Sequence, residues 1–299
     1  MFILNEGIHV FESLDGNKLI IRNYTNAKIM TINNQRPLEK LLILLKKPQS
    51  LENIFKNIKI SNLDTVLQLL LKEEVIIKLV SKKSKRINVA VIGIGTTGSH
   101  IVNDLRNLTE IKKLIICDPD TVDESNLYRQ VYVESDLNKN KVDVFAKEGG
   151  KCDQIIGLKN MYTSSNQIIE MCKQYDVNVL IQAGDYPTTR ELGILIEHAA
   201  NKLNIPYIIN SGYVSNVVSL PEFYYPNNDY DFIYKHQTYN EKPILLKVNK
   251  KVSFRMVANV GHIVAQQIID YCADRKPIKY GERGFFDGSK FEWRTEKFE

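Results

Sequence analysis

The chain has 299 residues, of which 43% are hydrophobic and 25% charged, with a formal net charge of +5. This is globular composition, long enough for one large domain and one small one. No run approaches the roughly 20 apolar residues of a membrane span, and Glu6, Glu12 and Asp15 stand where an export signal would be basic and then apolar, so a soluble, cytoplasmic protein without membrane contact is expected.

From Gly7 to Ile32 apolar and polar residues alternate in short runs (IHVFESL, KLIIRNY, AKIMTI), with Asp15-Gly16-Asn17 between the first two, which predicts an antiparallel hairpin or meander. Pro37-Leu38 opens the periodic LEKLLILLKK, and Ser50, suited to capping a first turn, opens LENIFKNI. A third periodic stretch, Leu63 to Leu71, leads into the strand-like Val75 to Val80. Strands, three short helices and a closing strand make a small winged-helix-like α+β domain over residues 1–82. Residues 1–86 hold 15 Lys+Arg against 8 Asp+Glu, while the rest holds 25 against 27, so the front of the chain is the part that would attract an acidic partner.

Lys82 to Arg86 reads as a solvated linker. After it the pattern becomes strand, glycine turn, helix, strand: INVAVIG from Ile87, a helix through His100 to Leu108, then KKLIICD. VNVLIQAGD at Val177 to Asp185, a helix after Thr188 and IPYIINSGY at Ile205 to Tyr213 repeat it. Apolar strands alternating with helices predict an α/β fold over residues 87–299, a Rossmann-like, doubly wound, mostly parallel sheet.

Four cysteines, Cys117, Cys152, Cys172 and Cys272, form no CxxC pair, so neither a disulfide framework nor a structural zinc is expected. His100, His198, His236 and His262 have no acid at useful spacing and read as structural or solvent-facing. Trp293 and the aromatic stretch around Tyr224 to Tyr239 read first as packing groups, with the lining of a peptide channel as the alternative.

Gly93-Ile-Gly95-Thr-Thr-Gly98 follows an apolar run and opens a helix, the context of a phosphate-binding turn. By itself it suits NAD, FAD, SAM or ATP. Asp118 ends the next strand, where a carboxylate meets ribose hydroxyls. The string Asp118-Pro-Asp120-Thr-Val-Asp-Glu-Ser-Asn126-Leu-Tyr-Arg129-Gln130, with Lys141 beyond it, adds cations that a polyphosphate needs and a nicotinamide dinucleotide does not. The alternative for Arg129 and Lys141 is surface pairing with Asp136 or Asp143. Asp185, closing VLIQAGD at the carboxyl edge of the sheet, suits Mg²⁺, with an N-cap near Pro187 as the competing role.

Together these motifs resemble the ThiF/MoeB/HesA and ubiquitin-activating superfamily of adenylyltransferases, over Ile87 to about Tyr213. The resemblance implies ATP and Mg²⁺ as cofactors, with Gly93, Gly95, Gly98, Asp118, Asp120, Asn126, Arg129, Gln130 and Lys141 around the nucleotide. Asp118 would hold the ribose, Asn126, Arg129 and Lys141 the phosphates, and Asp185 the metal, with Arg129, Lys141 and Asp185 as the catalytic set. Pro206 to Tyr213, with the loop from Pro221 to Pro226, looks like the microcin-type MccB group. The front domain looks like a RiPP recognition element, which captures a precursor's leader peptide as an added strand. The implied activity is activation of a precursor-peptide carboxylate, a C-terminal asparagine as in the microcin group or a glutamate side chain as in the PaaA group. Activation of a ubiquitin-like sulfur carrier and a non-catalytic peptide-delivery scaffold are the alternatives. A homodimer is implied, and nucleic acid is not. Two departures stand out: the paired CxxC zinc motifs are missing, with a Tyr/Asp/Asn-rich region at Asn227 to Lys242, and only Arg86 is available in place of the R-x-x-R segment before the glycine strand.

Overall fold

The computed structural model describes residues 1–33, 36–79, 84–214, 216–227, 254–275, 277 and 282–297. The chain divides into two compact units, Met1–Lys83 and Ser84–Glu299.

In the first unit β1 (Phe2–Leu4) precedes a three-stranded antiparallel meander of β2 (Ile8–Glu12), β3 (Lys18–Asn23) and β4 (Lys28–Asn33). The β2–β3 turn forms where the sequence places it: the Asp15 carboxylate accepts the Asn17 N–H at 3.1 Å, and Gly16 takes φ +71°. Helices α1 (Arg36–Leu44), α2 (Leu51–Asn57) and α3 (Leu63–Lys72) follow, Ser50 capping α2 by accepting the Asn53 N–H at 3.1 Å. Strand β5 (Ile76–Lys78) then pairs antiparallel with β1. Ile21, Leu41, Leu45, Ile54, Leu67 and Leu70 meet in the core. The alternation that begins at Gly7 gives no sign of β1, three residues that pair with a strand more than 70 positions away.

The second unit opens with β6 (Ile87–Ile92), every residue buried, then α4 (Thr96–Leu105), β7 (Ile111–Cys117), α5 (Lys141–Glu148), β8 (Gln154–Leu158), α6 (Ser165–Gln174), β9 (Val179–Gln182), α7 (Thr189–Leu203) and β10 (Tyr207–Ile209). After β11 (Tyr213–Val214) and β12 (Val217–Ser219) comes β13 (Glu222–Tyr224). The six-stranded sheet runs β8-β7-β6-β9-β10-β13, parallel but for β13. The Rossmann-like expectation therefore holds. Because strand residues alternate sides, Val89 and Val91 enter one core with Ile101 and Val264, while Ala90 and Ile92 enter the other with Ile168 and Ile196.

The order reverses between β6 and β9, so the crevice for a ligand lies beyond their carboxyl ends. Helix α8 (Phe254–Cys272) packs along α4, where a Cβ on Gly261 would come within 2.6 Å of the His100 carbonyl oxygen. Strands β14 (Glu282–Asp287) and β15 (Glu292–Lys297) join β11 and β12 in an antiparallel sheet that the sequence reading did not foresee.

Two spans are shorter than read. Helix α4 stops at Leu105 where Leu108 was expected, and β9 ends at Gln182, leaving Ala183-Gly184-Asp185 in a loop. That loop crosses the glycine turn: a Cβ on Gly93 would lie 2.4 Å from the Gly184 Cα. Among the described residues no helix is long and apolar enough to cross a membrane.

Candidate nucleotide-binding site

Beyond β6 and β9 a cleft of about 300 Å³ is lined by Gly93, Gly95, Asp118, Asp120, Asn126, Arg129, Gln130, Lys141 and Asp185. Of the residues singled out from sequence, only Gly98 is not on its wall. Gly98 shapes the wall from behind, because a Cβ there would come 2.1 Å from the Gly93 carbonyl oxygen. Gly93 takes φ +88°, a conformation that other residues rarely adopt. A Cβ on Gly95, by contrast, would meet no atom within 4 Å. The N-terminus of α4 thus faces open space, and among the described residues no side chain caps its first N–H groups. That is the electrostatic profile of an anion site.

Asp118 is buried and accepts two backbone N–H groups, Ile94 at 2.8 Å and Asp120 at 2.9 Å. The carboxylate read as a ribose acceptor therefore also braces the glycine turn. Lys141 is the first residue of α5 and is buried, its Nζ 2.9 Å from Asp120 Oδ2 and 3.8 Å from Asp118 Oδ1. Arg129 donates Nε–H to Thr96 Oγ1 at 2.9 Å, and through Nη1 to the Ser125 carbonyl at 2.6 Å and the Tyr128 hydroxyl at 2.9 Å. The competing surface pairings do not occur, since Asp136 binds Lys139 and Asp143 binds Lys159.

Asn126 closes a capping box with Asp123, whose N–H its Oδ1 accepts at 3.1 Å. Gln130 is buried with Oε1 unpaired by any described residue, an acceptor on the cleft wall that fits a ligand or water. Tyr132 ties the same loop to the glycine turn by donating its hydroxyl to the Ile94 carbonyl at 2.9 Å. Asp185 is exposed, and Thr188 takes the N-cap that competed for it, its Oγ1 accepting the Glu191 N–H at 3.1 Å. The carboxylate is left to the cleft. These features fit a nucleoside triphosphate: unpaired helix N–H groups, two cations, an orphan acceptor and a solvated carboxylate for a cation.

Sequence reasoning missed Thr96, Thr97 and Asn210. Asn210 lies buried just past β10 and donates Nδ2–H to Thr97 Oγ1 at 2.6 Å, linking that strand's end to the start of α4. The signal was present, a polar Asn-Ser-Gly after an apolar strand at the carboxyl edge.

Other expectations need correction. His262 does have an acid, its Nδ1 lying 2.5 Å from Asp104 Oδ2, because α8 and α4 bring together residues 158 positions apart. Arg86 is committed to its own unit through a bidentate pair with Asp153 at 2.7 and 3.0 Å and bonds to the Thr109 and Ile111 carbonyls, so it does not serve as a free cation. Trp293 lies on β15, over half exposed, its ring against Phe286. His236, residues 228–242 and most of the aromatic stretch lie outside the described residues. All four cysteines are free and buried, burial pushing the Cys117 and Cys172 thiols up to about 12 and Cys272 to about 11. Among the described residues no group of three or more His, Cys, Asp or Glu converges as a metal cluster.

The model of the ThiF family matches residues 68–299. The sequence matches no curated protein. Among solved structures, E. coli MccB with ATP is similar at 16% identity and a TM-score of 0.70, over 99% of this chain and 96% of that one. The microcin C7 biosynthetic enzyme MccB in complex with N-formylated MccA reaches a TM-score of 0.73 at 16% identity, with the same shares covered. PaaA reaches 0.64 at 19% identity, over 98% and 99%. At these identities the likeness concerns the fold.

Proposed function

The chain belongs to the ThiF family, and from that membership together with the chemistry of the cleft we propose that it is an adenylyltransferase-type enzyme that uses ATP and Mg²⁺ to activate a carboxylate of a ribosomally made precursor peptide. The observation that carries this is the pairing of an uncapped helix N-terminus with two held cations, Arg129 and Lys141, around one cleft. A triphosphate tail spreads about four negative charges, which such a set offsets.

In the proposed step a peptide carboxylate oxygen attacks the α-phosphorus. An acyl–oxygen–phosphorus bond forms, the bond to the bridging oxygen breaks, and pyrophosphate leaves with that electron pair. Arg129 and Lys141 bind the tail and stabilise the charge growing on the leaving group. Asp118 keeps the turn in shape and faces the ribose, and Gln130 Oε1 accepts from the ligand or its water. Mg²⁺, held by Asp185, would add charge neutralisation on the pyrophosphate. Two solved neighbours, MccB and PaaA, support the peptide reading by fold, and the first was solved with N-formylated MccA.

The first unit suits leader capture. Among the described residues β4 pairs with β3 alone, leaving its other edge unpaired. Beside it a groove of about 340 Å³ is lined by Met30, Ile32, Leu69 and Val75, with the Lys28–Glu73 pair at its rim. A peptide added to β4 would bond its backbone to the edge and seat an apolar side chain there. We take the working form to be a homodimer, as the family resemblance implies.

Peptide-dependent ATP–pyrophosphate exchange tests the reading, using precursors with an acidic leader and either a terminal asparagine or an internal glutamate. Exchange should require the peptide and fail in Asp185→Ala. Exchange independent of Asp185, or none with ATP·Mg bound, would refute it.

A further inference from the structure

One helix grips Arg129 at both ends. Thr96 and His100 stand four residues apart on α4 and so share a face. Thr96 Oγ1 accepts the guanidinium Nε–H at 2.9 Å, while His100 Nε2 lies 3.0 Å from the Arg129 carbonyl oxygen. A carbonyl carries no proton, so Nε2 must be the donor. Burial pushes the His100 pKa below its usual value, which favours the neutral ring protonated there. The remaining bonds of the guanidinium, to the Ser125 carbonyl and Tyr128 hydroxyl, and its place over the Tyr128 ring, come from its own loop. Among the described residues, the bonds that tie that loop's arginine to the glycine helix are those of Thr96 and His100.

We propose that Thr96 and His100 are positioning residues that fix Arg129 relative to the N-terminus of α4, so that its guanidinium and the helix N–H groups address one polyphosphate together. This rests on the ATP reading above. A free arginine samples many rotamers, and ordering it only when the ligand arrives would weaken binding. Thr96, which accepts from Arg129, itself lines the cleft.

The test is a set of ATP·Mg affinities on the full chain, by calorimetry, for Thr96→Val, His100→Leu and His100→Gln, each with and without Arg129→Ala. With Arg129 present, Thr96→Val and His100→Leu should each weaken binding about tenfold, as expected for a lost bond to a charged group or its anchor. His100→Gln, which keeps a donor nitrogen at similar reach, should restore most of that, and its folding keeps the test valid if His100→Leu unfolds. With Arg129→Ala, Thr96→Val and His100→Leu should cost nothing further. Equal losses in both backgrounds would make these bonds a mere structural staple and overturn the proposal, as would unaltered affinity in Thr96→Val alongside a weak Arg129→Ala. If Arg129→Ala itself binds ATP·Mg normally, the nucleotide reading of Arg129 falls with it.

Discussion

Lys141 Nζ lies 2.9 Å from Asp120 Oδ2, although the lysine is the first residue of a helix, where the macrodipole disfavours a cation. Its side chain is only 6% exposed while that of Asp120 is 64% exposed, so a buried ammonium is tied to a solvated carboxylate that a ligand can displace. A site that binds an anion gains from such an arrangement. Lys141→Met should lower the adenylation kcat by about 100- to 1,000-fold, the usual effect of removing one donor to developing charge. Lys139→Ala, an exposed neighbour paired with Asp136, should leave kinetics unchanged. Equal effects of the two in a steady-state assay would remove Lys141 from the chemistry.

Two glycines of the turn should part company on substitution. At Gly98 an added Cβ would lie 2.1 Å from the Gly93 carbonyl oxygen, so Gly98→Ala should destabilise the fold by about 1–3 kcal/mol. At Gly95 it would meet nothing within 4 Å. Gly95→Ala should therefore melt within about 0.5 kcal/mol of the parent, yet lose nucleotide affinity because the methyl occupies the phosphate's approach. Thermal melts with and without ATP·Mg read both effects.

The buried His100 gives a pH dependence of definite sign. Its pKa is held below the ordinary value of about 6.5 chiefly by burial, opposed by the bond to the Arg129 carbonyl and by Asp104, while His262 adds to the lowering. The folded state thus binds its proton less readily than the unfolded chain, so the stabilising contribution is present above about pH 6.5 and is lost as pH falls below it. Urea unfolding between pH 7.5 and 5 should show a steeper loss for the parent than for His100→Gln. Parallel curves would show that His100 does not titrate in this way.

For the first unit, Ile29 and Leu69 are 65% and 46% exposed and line the groove at β4. Ile29→Asp and Leu69→Asp should leave the melting temperature nearly unchanged, since neither side chain sits in the core. Leader-peptide affinity, followed by fluorescence anisotropy, should drop at least about tenfold for each, from lost apolar burial and from the charge set against an acidic leader. Unchanged anisotropy in both would place the leader elsewhere.

Much of the site was legible because its motifs are local. The turn from Gly93 to Gly98 and the string from Asp118 to Gln130 are each continuous in sequence, and each directly follows a strand, which places both at the carboxyl edge of the sheet. What escaped depends on distant contacts. Strand β1 pairs with β5 across more than 70 positions, Asn210 reaches Thr97 across 113, and Asp104 meets His262 across 158. Asp185 was legible as an acid at the sheet edge, but only the structure separates it from the N-cap, which Thr188 takes. The bracing of the glycine turn by Asp118 was hidden for a similar reason, because the N–H it accepts from Ile94 lies 24 residues back in the chain.

The most direct measurement is calorimetric titration of the intact protein with ATP·Mg and, separately, with NAD. ATP·Mg should bind, Lys141→Met and Arg129→Ala should each weaken it at least about tenfold, and NAD should give no heat of binding. Saturable NAD binding, or ATP·Mg affinity indifferent to both substitutions, would contradict a polyphosphate held between these cations and the start of α4.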